Sequence, residues 1–372
     1  MRPQQKAATV RKRFKSISVG SIVLSESRCH GRATVMMLLE LLLLGVVVWS
    51  VIGLLPKLIV PGGGPNVADG VSIRKPVLRL ISTSNGEKLW GQLGEFEIIS
   101  MDLVTREARR VDGRKNRSIG NWAVSQDGAI LLLSVDHSRV EIFRSQELMI
   151  SEVMPEPCHL LAALSANGTT AVRVAGKTSV RLWNLSLEEP SETDFVLLDA
   201  AERIAVDAVG KMLVVAAGQK GLHIYDLNSG DRTQTLDGTG RLSKDPVFSQ
   251  DGKWLAVIRA FEITLFEIPS GRIAWTAHIP GPDPFIGVSF SPDGMWLAAS
   301  DVKSGIQIFK TSDGTCHRRL TSNSTLHRVA FSSSNDILYS GCTDGIIRIW
   351  SVSEGCEIDQ IRLTVDPQKT VR

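Results

Sequence analysis

Beyond residue 75 the chain alternates apolar and polar positions in short runs, and the runs come in sets. One set reads FIGVSFS (285–291), MWLAAS (295–300), GIQIFKT (305–311) and TCHRRL (315–320). Period-two alternation over a few residues predicts half-buried strands, and none of these runs shows the 3.6 spacing of a helix. Pro292-Asp293-Gly294 and Ser312-Asp313-Gly314 separate them. An Asp-Gly pair between apolar runs predicts a tight hairpin, because both central residues can take positive φ. The set is therefore four short antiparallel strands.

The same phrase occurs one period earlier: FSPDGMWLAAS (290–300) follows FSQDGKWLAVI (248–258) at a distance of 42. Its turn can be followed through Gly86, Gly128, Gly168, Gly210, Gly252 and Gly294, spaced 42, 40, 42, 42 and 42, with Asn335-Asp336 at the next expected place. A second mark keeps step about fifteen residues later. It is a large side chain closing the third strand: Met101, Phe143, Trp183, Tyr225, Phe266, Phe309 and Trp350. A self-similar unit of 20–50 residues that cannot bury its own faces predicts a ring or solenoid. Four antiparallel strands per unit predict one blade of a β-propeller, whose radial repetition leaves only short edges. Seven units of about 42 residues fit residues 76–372, with blades near 76–118, 119–157, 158–199, 200–240, 241–283, 284–323 and 324–365. The expected fold class is all-β: a seven-bladed propeller of four-stranded blades, preceded by one transmembrane helix.

The units resemble WD repeats, most closely in the seventh, VAFSSSNDILYSGCTDGIIRIWSVSEG (329–355). They depart from that pattern in several ways. No Gly-His or Trp-Asp dipeptide occurs, and Tyr225-Asp226 is the nearest form. The Asp six residues before the closing aromatic is present as Asp344, whereas other units carry His137, Lys177, Gln219, Ala260 and Lys303. The departures imply blades held by apolar packing in place of the family's Asp-His networks. The phrases are also similar to lactonase-like and quinoprotein-like propellers. Closure is expected to rest on packing between blades 1 and 7, with a short strand near 71–73 as a further contributor.

Residues 35–55, VMMLLELLLLGVVVWSVIGLL, carry Glu40 as their one charge. As a helix they would reach about 31 Å, the thickness of a hydrocarbon core. Fourteen Leu, Ile and Val residues outweigh one carboxylate near the end. A transmembrane helix is expected, after a basic cytoplasmic tail (1–34) and before a Gly/Pro-rich tether (56–75). The tail's excess of Lys and Arg places the N-terminus in the cytoplasm and the propeller outside. A cleaved signal peptide is the rival reading, against which stand the long charged leader and the lack of a small-x-small site just behind the apolar run.

Charge divides at the same boundary. Residues 1–57 hold 9 Lys/Arg and 2 Asp/Glu, leaving 33 against 37 for the rest. The chain's +3 belongs to its tail, and the propeller shows no charge signature of nucleic-acid binding. Five cysteines, at 29, 158, 316, 342 and 356, form no C-x-x-C pair. A disulfide between Cys316 and Cys356 is not expected, since outer strands splay apart. Catalytic, metal-binding and cofactor motifs are absent, so the expectation is no catalytic residue, no metal, no cofactor and no obligate small molecule. Asn-x-Ser/Thr sequons stand at Asn116, Asn167, Asn184 and Asn323.

Binding residues concentrate on loops held by a rigid scaffold. Three segments qualify: the basic loop with Arg114, Lys115 and Arg117; the loop with Asp237, Arg241, Lys244 and Asp245; and the loop with His278, Asp283 and Phe285. Upstream of the first, Arg106, Arg109 and Arg110 read as a charged edge strand. The function expected is a membrane-anchored scaffold whose partner is another protein, with no chemistry of its own. The alternative is an enzyme or ligand binder using the central channel, which would gather several carboxylates or histidines at one mouth.

Overall fold

A computed structural model describes residues 71–72, 75–112, 118–154, 161–236, 240–259, 261–278, 284–302, 305–322 and 324–370. All belong to one compact unit. The predicted membrane span, 35–55, lies outside the described residues. Among the described residues no helix is long and apolar enough to cross a membrane, and the helical element is a single 3-10 turn, Gly218–Lys220.

The strands assemble into seven sheets: six are built from four consecutive antiparallel strands, and the first adds two further strands to such a set. Blade 7 is representative: Leu326–Phe331, Ile337–Cys342, Ile346–Ser351 and Cys356–Arg362 follow one another from the channel outward. The chain is an all-β, seven-bladed propeller of four-stranded blades.

The predicted turns form with left-handed glycines, φ +74° at Gly168 and +78° at Gly210. A side chain at either would also collide, with Ser125 in one case and Thr170 in the other. Each turn is braced by its own sequence. Ser125 Oγ donates to Asp127 (2.5 Å) and accepts the backbone N–H of Ile130 (2.9 Å), and Ser249 and Ser291 repeat the arrangement with Asp251 and Asp293. The seventh turn, Asn335-Asp336, uses no left-handed residue. Asp336 instead accepts from the backbone of Ser353 (2.6 Å) and the hydroxyl of Ser351 (3.1 Å). Neighbouring turns are also tied together, as Ser84 N–H bonds Gln126 O (2.7 Å) and Gln126 N–H bonds Ala166 O (2.6 Å).

Each apolar cluster straddles two blades. The closing side chain of every third strand lies against the preceding blade: Phe143 between blades 1 and 2, Trp183 between 2 and 3, Tyr225 between 3 and 4, and Phe266 between 4 and 5. Phe309, Trp350 and Met101 continue the series through the junctions 5/6, 6/7 and 7/1. This is the physical meaning of the second sequence mark. A blade exposes two apolar faces, and only its neighbours can cover them.

Closure differs from the expectation. Blades 1 and 7 do pack face to face, Val77, Leu80 and Leu89 meeting Ala330, Tyr339 and Ile347. In addition, the chain leaves blade 7 and adds the strand Thr364–Thr370 in parallel to the outer strand of blade 1, Ala108–Asp112. Val71–Ser72 then pairs with that added strand, not with blade 7. The strand carrying Arg109 and Arg110 is therefore not an edge strand, because backbone groups after blade 7 complete it. Arg106 carries the tie further, reaching Asp359 of blade 7.

Two thiols illustrate the contrast between rim and interface. Cys316 is free and exposed on the outer strand of blade 6, whereas Cys342 is fully buried between blades 6 and 7, where burial pushes its thiol up. The thiolate is the reactive form. Iodoacetamide is expected to label Cys316 in the folded protein at neutral pH and to reach Cys342 only on unfolding, as read by peptide mass mapping.

Candidate functional site

The innermost strands of all seven blades surround a central channel enclosing about 440 Å³. At the mouth beside the Asx-Gly turns the lining is uncharged, with Ser84, Gln126, Ala166, Gln250 and Ser333. At the opposite mouth, where the innermost strands begin, equivalent positions of the repeat come together. They are Arg79 and Asn121 of blades 1 and 2, Ala162 and Arg203 of blades 3 and 4, then Asp245, Gly287 and Arg328, at intervals of 42, 41, 41, 42, 42 and 41. Strand register thus converts arginines far apart in sequence into one ring.

The ring is hydrogen-bonded on one side and unpaired on the other. Arg79 donates to Asn121 Oδ1 and lies over the Trp122 ring at 5.4 Å, and Asn121 donates in turn to Ala162 O (2.8 Å). Arg203 Nη1 stands 3.5 Å from Asp245 Oδ1. Among the described residues neither Arg328 nor Lys244 has a hydrogen bond or ion pair from its side chain, and the buried Nε2 of His327 has no partner. Gly287 makes room for Arg328: a Cβ there would stand 3.1–3.3 Å from its Cγ, Cα and Cβ.

Electrostatics mark the crowding. Burial, then the neighbouring Arg328, pushes the Arg79 guanidinium down to about 10, against the opposing pull of Asp245. Burial lowers Arg328 too, with Arg203 adding to the effect. Lys244 is lowered by burial and then by Arg328 and Arg203, and His327 by burial and then by Lys244. Among the described residues, four cations and a histidine thus share one carboxylate, Asp245. Among the described residues no group of three or more His, Cys, Asp or Glu could hold a metal ion. The gathering of carboxylates that a channel enzyme would use is not what this mouth presents; it is suited to receive negative charge.

The three predicted loops fare differently. Arg114, Lys115, Arg117, Asp237 and Asp283 lie outside the described residues. Lys244 and Asp245 reach the channel mouth. Arg241 is exposed and pairs with Glu202 at 3.2 Å, and His278 is exposed, 3.8 Å from Glu262. Phe285 needs correction: it is 1% exposed and packs in the 5/6 interface, because the innermost strand of blade 6 begins there. Arg79, Arg203, His327 and Arg328 escaped the sequence reading. Asp344 bonds Arg348 (2.7 Å) and Ser324 (3.1 Å), so no Asp-His network forms around it. Of the sequon residues, Asn167 and Asn184 are exposed, while Asn116 and Asn323 lie outside the described residues.

The fold and its repeat define a seven-bladed β-propeller. Residues 311–351 match the family described as WD domain, G-beta repeat. That match begins just before the outer strand of blade 6 and ends with the third strand of blade 7, so repeat and blade are out of phase. Over 107 residues the chain is 24% identical to COMPASS component SWD3 of Saccharomyces cerevisiae, a stretch covering 29% of this chain and 34% of that relative. The chain thus spans about a third of the length of the curated relative it matches. Among solved structures it is similar to the Cps50 (Swd1) β-propeller domain from Myceliophteria thermophila, with a TM-score of 0.63, 17% identity, and coverage of 77% of this chain and all of that one. At that identity the likeness speaks for the fold.

Proposed function

We propose that the chain is a membrane-anchored propeller that holds another protein on its outer circumference and has no chemistry of its own. The observation that carries this reading is a set of exposed apolar side chains on the outer parts of blades 2 and 3. Leu148 and Val153 on the strand Glu147–Val153, Leu187, Val196 at the end of Ser191–Val196, and Leu198 are each at least half exposed. Single exposed apolar residues need no explanation, but a concentration of them marks interaction surfaces. The two strands are also joined: Glu152 bonds Arg181, which bonds Asp194. Among the described residues both are the outermost strands of their sheets, and such edges can pair with a partner strand. The similarity to a protein described as a COMPASS component supports protein partners. The anchor and the placement of the propeller outside the cytoplasm rest on the apolar run 35–55 and the basic residues before it.

The test is cross-linking and affinity capture of the tagged full chain from the membrane fraction of its native cell, beside a Val153→Glu/Val196→Glu/Leu198→Glu variant. A near-stoichiometric protein captured by the wild type and lost from the variant is the expected result. A full chain that stays out of the membrane fraction would end the anchor reading. Equal capture by the variant would end the outer-surface reading.

A further inference from the structure

The channel mouth lies apart from that outer surface and plays no part in it. Its composition is costly for an empty site. Among the described residues Arg79, Arg203, Lys244 and Arg328 converge with one carboxylate, Asp245, and their mutual repulsion is felt in a confined space that water screens poorly. Structural ion pairing would distribute acids among these cations. Here Asp245 contacts Arg203, while Arg328 and Lys244 are left without a side-chain partner among the described residues. Arg79 is fixed in place by Asn121 and by the face of Trp122, so its guanidinium is held ready, not free to swing into solvent. Gly287 has no side chain that would press on Arg328.

We propose that this mouth binds a compact oligophosphate, the anionic groups engaging Arg79, Arg203, Lys244 and Arg328. Guanidinium groups match phosphate oxygens in paired hydrogen bonds, and a lysine adds a mobile point charge. Three positive charges in excess of Asp245 call for a ligand with several negative charges. The channel volume of about 440 Å³ lies within the range of small-molecule sites. Its neutral far mouth gives such an anion a direction, since the field favours one end only.

The test is calorimetric titration of the full-length chain, purified in detergent, with phosphate, pyrophosphate, tripolyphosphate, metal-free ATP and citrate at one ionic strength. Binding is expected to strengthen along the inorganic series. Arg328→Gln and, separately, Lys244→Gln are expected to weaken tripolyphosphate by about tenfold or more. Tighter ATP than tripolyphosphate assigns a nucleotide, and parity assigns the bare phosphate chain. The ligand-free thermal midpoint supplies a second readout that does not depend on binding. Arg328→Gln is expected to leave it unchanged or raise it, because repulsion is relieved, while tripolyphosphate raises the midpoint of the wild type by more than that of the variant. Absence of binding by every phosphate overturns the proposal. So does binding undiminished in both variants, which would place the anion elsewhere, as on the basic tail. Citrate as tight as tripolyphosphate overturns the phosphate assignment in favour of a carboxylate ligand.

Discussion

Trp350→Ala is expected to destabilise the propeller by about 3–5 kcal/mol, read as a lower urea midpoint and a lower thermal midpoint. Trp350 is 1% exposed and closes the third strand of blade 7. Its ring fills the junction with blade 6, among Ile306, Ile308, Leu338 and Val352. Neighbouring side chains stand on two sheets whose backbones are fixed by their own ladders, so the void cannot collapse. A second loss comes from the indole N–H, which donates to Ser340 Oγ at 2.9 Å inside the protein. Ser340 is wholly buried, and removing the donor leaves its hydroxyl without that bond. Trp350→Phe keeps most of the volume and loses the hydrogen bond, so it is expected to cost less than half as much. A loss from Trp350→Ala below about 1 kcal/mol would mean that the junction relaxes freely, against the close packing argued here.

The same residue shows why so much of the fold was legible in the sequence. A blade is a local object: four consecutive strands joined by short turns, each turn written in residues that only a hairpin demands. Gly168 and Gly210 are left-handed because the turn requires it, and Trp183 and Trp350 recur because every junction needs one large side chain. What the sequence hid is what depends on the ring as a whole. The strand Thr364–Thr370 reads TVDPQKT, without alternation, and finds a partner only because closure brings blade 1 beside the end of blade 7. The channel mouth was hidden for the same reason. Arg79, Arg203 and Arg328 are lone arginines at the starts of three strands, and no local motif joins them. The repeat register does, and counting 42 residues from Arg203 arrives at Asp245. Lys244 and Asp245 are legible in the sequence only as loop residues; their position at the channel mouth follows from the ring. Phe285 was misplaced because HIPGPDPF looks like one loop, whereas the strand already starts at its last residue.

Glu152→Ala is expected to cost about as much as the loss of Trp350, roughly 3–5 kcal/mol, for an electrostatic reason. Arg173 is 6% exposed, on the second strand of blade 3, and both its hydrogen bonds go to Glu152 of blade 2: Nε to Oε2 and Nη2 to Oε1, each 2.7 Å. Removing the carboxylate strands a guanidinium that water cannot reach. Arg181 shares Glu152 at 3.0 Å but keeps Asp194 at 2.7 and 2.8 Å, so it loses little. The effect therefore belongs to Arg173, and a double-mutant cycle isolates it. Arg173→Met alone leaves Glu152 with Arg181. Glu152→Ala/Arg173→Met is expected to be more stable than Glu152→Ala alone, since the second change removes the uncompensated charge while its stem still fills the space. Because the pair is shielded, salt that screens exposed pairs should change the coupling little. A double variant no more stable than Glu152→Ala would place the cost in lost packing between blades 2 and 3, and the charge of Arg173 would then carry none of it.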